Sequence, residues 1–190
     1  MRLFVALSLP EPVRERLADL ENGLPGARWV PEDNLHLTLR FIGEVDGGLA
    51  RDIDSCLAEI SMPAFEASFD RLDTFGDGRN LRALWVGVEQ PNEPLMRLQA
   101  KVEKAVVRAG LQPESRKFTP HVTLARFKRH NGRVPADKMQ AYLMQNARLH
   151  LGPVRFEAFS LYSSFLHRDG SIYSLEADYP LERPALAGQL

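Results

Sequence analysis

The sequence predicts an α+β fold in which a duplicated unit forms two lobes, with two antiparallel sheets facing a central cleft and helices on the outer faces. Strand-like apolar runs and amphipathic helical runs follow one another in a similar order in both halves of the chain. Each half passes from a strand through a helix to a further strand that carries a histidine and, two residues later, a threonine. We therefore expect residues 1–190 to form a single domain whose two lobes are related by a pseudo-twofold axis.

The first half begins with a continuous apolar run, typical of a buried strand, that ends at Pro10. Pro10 and Pro12 then open a helix, because a proline in the first turn lacks only an N–H that would be unpaired there. Alternating apolar and polar residues mark the later strands, and Gly43 is expected to end one of them. The predicted strands cover 2–9, 28–30, 35–42 and 64–75, and the predicted helices cover 10–22 and 48–60.

The second half contains the clearest helical pattern of the chain, an apolar stripe from Leu95 to Val106 that stops before Gly110. Pro120 stands near the start of a strand-like run, where a proline is permitted. The alternation of apolar residues after this run predicts two closing strands joined by a turn at 168–170. The predicted strands cover 81–89, 118–127, 154–166 and 171–179, and the predicted helices cover 92–108 and 137–147.

Composition and charge limit the classes of protein to which this chain can belong. Apolar residues make up 44% and charged residues 26% of the chain, as in ordinary globular proteins. The net charge of −1 argues against a general nucleic-acid coat, although recognition of one phosphate needs only local charge. The single cysteine, Cys56, excludes an intramolecular disulfide and a cysteine-rich metal site. The apolar run at 3–7 is too short for a signal peptide or a membrane span, so we expect a cytoplasmic protein. We also expect it to be a monomer.

Two His-x-Thr motifs are the most informative feature of the sequence. The chain has four threonines and five histidines, yet His36 precedes Thr38 and His121 precedes Thr123 at the same spacing. A random order of this composition would give about 0.1 such pairs. Residues i and i+2 of a strand point to the same face, so each motif places one imidazole and one hydroxyl together. Two imidazoles facing one cleft form an acid–base pair, and two hydroxyls can hold an anion.

An arginine follows each motif and is a candidate phosphate ligand. Arg40 stands four residues after His36, so strand alternation places it on the motif face. Arg126 stands five residues after His121, so the same alternation places it on the opposite face unless a bulge intervenes. Simple strand geometry therefore favours Arg40.

Other residue groups carry weaker indications. The basic cluster between Arg126 and Arg133 is a solvated loop or a landing surface for RNA phosphates. One aromatic ring at the cleft edge can stack on a base, although most of these rings are expected in the core. The motifs have no carboxylate at ligand spacing and the chain has no Gly-x-Ser-x-Gly elbow, so neither a metal, a cofactor nor a serine nucleophile is predicted. The aromatic candidates are Phe4, Trp29, Phe41 and Trp85. Tyr162 and Ser163, on a late strand, are candidates for reaching the cleft. The histidines treated as non-catalytic are His130, His150 and His167.

The motifs and their surroundings resemble those of the 2H phosphoesterase superfamily, which is named for its two His-x-Thr-x motifs. The similarity is greatest to the bacterial RNA 2′,3′-cyclic phosphodiesterases, also called 2′-5′ RNA ligase-like proteins. It covers nearly the whole chain, from about residue 1 to 181, and the family fold is the bilobal α+β architecture predicted above. The resemblance is carried by Arg2–Ala6, Trp29–Pro31, Asn34–Gly43, Leu84–Val88 and Phe118–Arg126.

The resemblance implies metal-independent hydrolysis of a 2′,3′-cyclic phosphate at an RNA end, which leaves a 2′-phosphomonoester. By the same resemblance His36 is the proton donor, His121 is the proton acceptor, and Thr38 and Thr123 hold the phosphate. The family's second motif typically continues to an arginine, which Arg126 matches here, so it joins Arg40 as a phosphate ligand. The reverse reaction would join a cyclic phosphate to a 5′-hydroxyl through a 2′-5′ linkage.

Two alternatives remain at this point. The same site could act on a small cyclic phosphate or a 2′-5′ oligonucleotide, or the protein could bind RNA ends with little turnover. The assignment of acid and base also stays open, because a pseudo-twofold cleft can accept its substrate in either direction.

Overall fold

The computed structural model describes residues 1–128, 134–167 and 170–182, and within them it contains nine strands and four helices. This mixed content confirms the predicted α+β class. No helix in these described ranges is long and apolar enough to cross a membrane. The strands are β1 (Arg2–Ser8), β2 (Ala27–Trp29), β3 (His36–Glu44), β4 (Phe65–Phe75), β5 (Ala83–Val88), β6 (His121–Phe127), β7 (Leu151–Phe156), β8 (Ala158–His167) and β9 (Gly170–Pro180), and the helices are α1 (Glu11–Ala18), α2 (Gly47–Ala58), α3 (Glu93–Arg108) and α4 (Ala136–Gln145).

The two predicted antiparallel sheets are the halves of one continuous sheet. The first lobe has the strand order β3-β1-β8-β9 and the second has the order β6-β5-β4-β7, with β2 paired to β6. The lobes meet where Leu37 of β3 pairs with Val122 of β6. Each motif strand is therefore the innermost strand of its lobe. The interpretation of these lobes as pseudo-twofold copies within a single domain stays a prediction.

The predicted strand at 154–166 is wrong in one respect, because it is two strands in different lobes. Strand β7 pairs with β4 in the second lobe, whereas β8 pairs with β1 in the first. Apolar residues occupy even positions at Val154 and Phe156 and odd positions at Phe159 and Leu161, and all four are buried. The buried positions therefore change from even to odd at Glu157, where the chain crosses from the second lobe to the first. The change occurs because β7 and β8 pair with strands in different halves of the sheet.

The helices cover one face of the sheet. Helix α3 begins where the Asn92 side chain accepts a hydrogen bond from the backbone N–H of Leu95 at 3.0 Å. Its buried stripe of Leu95, Leu98, Val102, Ala105 and Val106 packs into the same core as the odd-numbered apolar residues of β1 and β3. The even-numbered motif residues of β3 consequently stand on the opposite face, which the helices leave open.

Candidate active site

A cavity of about 280 Å³ lies between the lobes and is lined by both motifs. His36 and Thr38 reach it from β3, and His121 and Thr123 reach it from β6. The structure thus brings together the four side chains that strand alternation predicts on one cleft face. A histidine and a hydroxyl from each lobe surround the same space.

Each imidazole is held by one hydrogen bond to a backbone carbonyl two residues earlier. The Nδ1 atom of His36 lies 2.7 Å from the carbonyl oxygen of Asn34, and that of His121 lies 2.6 Å from the carbonyl oxygen of Thr119. A carbonyl oxygen can only accept, so Nδ1 must carry the hydrogen in both rings. Nε2 is then the nitrogen that takes up or releases a proton in both histidines.

Aromatic rings pack against both imidazoles. Tyr173 meets the imidazole of His36 edge-on, and Phe75 meets that of His121 in the same way. These contacts fix the planes of the two imidazole rings. The ring centroids near His36 are those of Phe4 at 4.9 Å and Tyr173 at 5.3 Å, and those near His121 are Phe75 at 4.8 Å and Trp85 at 5.7 Å. The two sites are therefore similar in construction although they use different strands.

Burial lowers the pKa of both His36 and His121 below the ordinary value of 6.5. The hydrogen bond from Nδ1 opposes this effect, and the positive charge of Arg126 adds to it at both rings. Both imidazoles are consequently biased toward the neutral form, in which Nε2 is a base. An anion bound between them would favour the protonated form, so a phosphate can supply the charge that keeps one of them an acid.

A β-bulge follows the threonine of each motif. The pairing of β1 with β3 moves from Ala6–Thr38 to Val5–Arg40 and leaves out Leu39. The pairing of β5 with β6 moves from Trp85–Thr123 to Leu84–Ala125 and leaves out Leu124. Both omitted residues stand three positions after the motif histidine. Each bulge shifts the alternation by one residue, so the side chain five positions after the histidine turns toward the cleft.

The bulge corrects the sequence-based placement of Arg40. Its guanidinium lies 2.7 Å from the carboxylate of Glu103 and 3.6 Å from that of Glu114, on the side of β3 that faces α3. It also donates a hydrogen bond to the carbonyl oxygen of Gln112 at 2.8 Å. The predicted placement of Arg40 on the cleft face is therefore wrong, because the extra residue at Leu39 reverses the direction that strict alternation gives.

Phe41 and Arg126 occupy equivalent positions on the cleft face, each five residues after a motif histidine. Both line the cavity. Phe41 is 43% exposed and the guanidinium of Arg2 lies 5.1 Å from its ring centroid. The cavity thus has an aromatic ring at the end of the first motif and a cation at the end of the second.

The remaining candidates divide between core, cleft and surface. Phe4 and Trp85 are 3% exposed and support the imidazoles, while Trp29 packs on the core. Tyr162 stacks on Phe4 at 5.3 Å, and the serine of β8 that lines the cavity is Ser164 rather than Ser163. His150 is exposed outside the cavity, and Arg129, His130, Arg133 and the side chain of His167 lie outside the described residues.

Arg2 and Tyr173 are cavity residues that the sequence reasoning missed. The alternation of β1 places Arg2 on the face of Phe4, and this signal was available from the sequence. Tyr173 could not be found in this way, because its strand pairs with β8 and its position depends on that register.

Comparison with known proteins identifies the family. A family model described as the 2′-5′ RNA ligase superfamily matches residues 9–164. The chain belongs to the 2′-5′ RNA ligase superfamily. This chain is 32% identical over 176 residues to a protein of Archaeoglobus fulgidus named RNA 2′,3′-cyclic phosphodiesterase. The alignment covers 91% of this chain and 96% of that protein. A protein of Aeropyrum pernix with the same name is 36% identical over 151 residues, or 80% of this chain and 84% of that protein.

A solved structure of LigT from Escherichia coli, complexed with 3′-AMP, has a similar fold. The TM-score is 0.76 at 26% identity, and the alignment covers 96% of this chain and 98% of LigT. The superfamily resemblance expected from the two motifs is therefore confirmed, and so is the fold class that goes with it.

Proposed function

We propose that the protein hydrolyses 2′,3′-cyclic phosphate ends of RNA to 2′-phosphomonoesters, without a metal, by the paired action of its two motif histidines. One observation carries the proposal: His36 and His121 are held alike by Nδ1 hydrogen bonds and line one cavity with two threonines. The name RNA 2′,3′-cyclic phosphodiesterase, which both relatives carry, supports an RNA 2′,3′-cyclic phosphate as the substrate.

In-line displacement at phosphorus uses both imidazoles in one step. Nε2 of His121 removes a proton from water while the water oxygen forms a bond to phosphorus. The bond between phosphorus and O3′ breaks on the opposite side, and Nε2 of protonated His36 gives its proton to O3′. The two histidines end with exchanged protonation states. A proton passing through solvent restores the starting state.

Thr38, Thr123 and Arg126 are proposed to hold the nonbridging phosphate oxygens. Each threonine stands beside its histidine on the cleft face, and Arg126 lines the same cavity. Hydroxyl and guanidinium donors fixed in place stabilise charge that develops on phosphorus oxygens in the transition state. Arg40 has no part in this step because its guanidinium is bound to Glu103.

The unequal ends of the cavity indicate a direction for the substrate. A nucleobase can stack on Phe41, whereas Arg126 at the equivalent position favours phosphate. With the nucleoside on the side of Phe41, the departing oxygen lies nearer His36, and water enters from the side of His121. This direction agrees with the proton-donor role of His36 that the family resemblance implies.

Replacing Phe41 with alanine is expected to lower kcat/KM about tenfold, because base–aromatic stacking contributes about 1–3 kcal/mol. The Phe41→Tyr variant keeps an aromatic ring and is the matched control. Steady-state kinetics on an adenosine 2′,3′-cyclic phosphate end measures both. Equal activity in the alanine and tyrosine variants would contradict the stacking role.

The pH dependence of kcat/KM is expected to be bell-shaped, because one imidazole must be neutral and the other protonated. This profile reports the free enzyme, in which burial lowers the pKa of both His36 and His121 below 6.5. Its maximum is therefore expected below about pH 6.5. The maximum of kcat should lie at higher pH, because a bound phosphate raises both pKa values. A flat kcat/KM profile from about pH 5 to 9 would contradict the mechanism.

The activity itself is tested with an oligoribonucleotide that ends in a 2′,3′-cyclic phosphate, in the presence of EDTA. Phosphorus NMR should show a 2′-phosphomonoester as the product. A 3′-phosphomonoester would reverse the proposed orientation, and binding without any product would favour the alternative of an RNA-end binding module.

Comparing kcat/KM with that for small cyclic phosphates and 2′-5′ oligonucleotides tests the other alternative. Addition of RNA with a 5′-hydroxyl tests 2′-5′ joining.

A further inference from the structure

Two arginines lie directly opposite each other on the paired strands β2 and β6. The register of this antiparallel pair places Arg28 across from Arg126. Side chains directly opposite each other in such a pair stand on the same face of the sheet, with β-carbons about 5 Å apart. Both residues are exposed, so the two guanidinium groups share one area of the surface.

The face that they share is the face of the cavity. Ala27 and Trp29 on either side of Arg28 pack against the core, so alternation turns Arg28 away from the core. Arg126, directly across from Arg28 on this face, lines the cavity, whereas Arg28 stands just outside its lining. Arg28 therefore continues the positive side of the cavity by one strand spacing, about 5 Å beyond Arg126.

Neither arginine of this pair forms an ion pair in the part of the chain that the structure describes. Among the described residues, the ion pairs within 4.0 Å include neither Arg28 nor Arg126. Like charges directly opposite each other destabilise a sheet, and a local arrangement that opposes stability is typical of a functional site. Phosphate groups bound at the two guanidinium groups would offset the repulsion.

We propose that Arg28, next to the Arg126 guanidinium that holds the cyclic phosphate, forms a second phosphate subsite that binds an internucleotide phosphodiester of RNA. The inference rests on the proposed function and makes an oligonucleotide a better substrate than a mononucleoside cyclic phosphate. The phosphodiester has two possible sources: the strand that ends in the cyclic phosphate, or a second strand whose 5′-hydroxyl enters for joining. The chemistry of recognition is the same for both sources.

The test compares a dinucleotide that ends in a 2′,3′-cyclic phosphate with the corresponding mononucleoside cyclic phosphate. The Arg28→Gln variant should lower the ratio of their kcat/KM values about five- to tenfold. The slope of log kcat/KM against log salt for the dinucleotide should become less steep by about 0.7, the value for one phosphate contact of a single strand. The matched control is Arg97→Gln, an exposed arginine on α3, which should change neither quantity.

A second experiment distinguishes the two sources of the phosphodiester. It measures the joining of a mononucleoside cyclic phosphate to a dinucleotide with a 5′-hydroxyl. A loss confined to this experiment assigns the subsite to the incoming strand, and a loss in hydrolysis assigns it to the strand being cleaved. Identical behaviour of Arg28→Gln and Arg97→Gln in both experiments would overturn the subsite.

Two further measurements separate the subsite from catalysis and from folding. Calorimetric binding of the 2′-phosphate products needs no turnover, so Arg28-dependent binding by an inactive protein would refute the proposed hydrolysis and keep the subsite. The thermal midpoint of Arg28→Gln should be no lower than that of the unaltered protein, because the substitution removes a repulsive pair. A markedly lower midpoint would mean that Arg28 has a structural role instead.

Discussion

Alanine at either motif histidine is expected to lower kcat by about 10²- to 10⁴-fold, the usual contribution of a positioned general acid or base. Both imidazoles line the cavity and make only one side-chain hydrogen bond each among the described residues, so folding should be retained. Steady-state kinetics of His36→Ala and His121→Ala on a cyclic-phosphate RNA end, beside their thermal midpoints, measures the effect. Near-normal turnover in both variants would contradict the paired mechanism.

A substrate with a better leaving group separates the two roles. When sulfur replaces the 3′ bridging oxygen, the departing thiolate needs little help from an acid. The His36→Ala variant should then recover most of its lost activity, while His121→Ala should recover none. Recovery in His121→Ala instead would show that His121 is the acid and His36 the base. The double variant His36→Ala/His121→Ala is the control for activity that depends on neither imidazole.

Replacing Arg40 with methionine is expected to cost about 2–3 kcal/mol of folding stability. The Arg40 and Glu103 side chains are only 11% and 22% exposed, so removing the arginine leaves a largely buried carboxylate without its partner. The cost is somewhat below that of a fully buried pair, because Glu103 keeps some contact with water. For a chain of this size the thermal midpoint should fall by about 5–10 °C.

The matched variant for Arg40 removes both charges. Arg40→Met combined with Glu103→Gln should restore most of the stability, because the amide carries no charge and still accepts the hydrogen bond from the backbone N–H of Glu114. Glu103→Gln alone should be less harmful than Arg40→Met, since Arg40 still approaches Glu114 and donates to the carbonyl of Gln112. Chemical denaturation of all three variants checks the order, and additive losses in the double variant would contradict a coupled pair.

Loss of catalysis in Arg40→Met without loss of stability would contradict a structural role for Arg40. That outcome would place Arg40 in the cleft, where strict strand alternation predicts it. The ion pair with Glu103 predicts the opposite result, with the change in stability larger than the change in kcat.

Local patterns in the sequence predicted most of the fold. Alternation and helical periodicity gave the strands and helices that the structure describes, usually within a few residues of their ends, because the buried face of each element is recorded in its own residues. The stripe of α3 from Leu95 to Val106 is an example. The strand assignment failed at Glu157, where two strands of different lobes follow each other without a turn signal.

The His-x-Thr pairs were likewise determined by the sequence alone. A spacing of two in a strand fixes a shared face whatever the partner strands are, so His36 with Thr38 and His121 with Thr123 had to stand together. The presence of the two motifs in similar contexts predicted one common cleft, and all four side chains line one cavity.

Only the tertiary structure decided which side chains follow the motifs into the cleft. The bulges at Leu39 and Leu124 exist between paired strands, and no residue of β3 or β6 by itself specifies them. They turn Arg40 toward Glu103 and bring Phe41 and Arg126 to the cavity. Alternation within a strand is a local property, whereas register depends on partners distant in the chain. For this reason strand alternation was enough to place the histidines and threonines, whereas it misplaced Arg40 and only the family resemblance indicated Arg126.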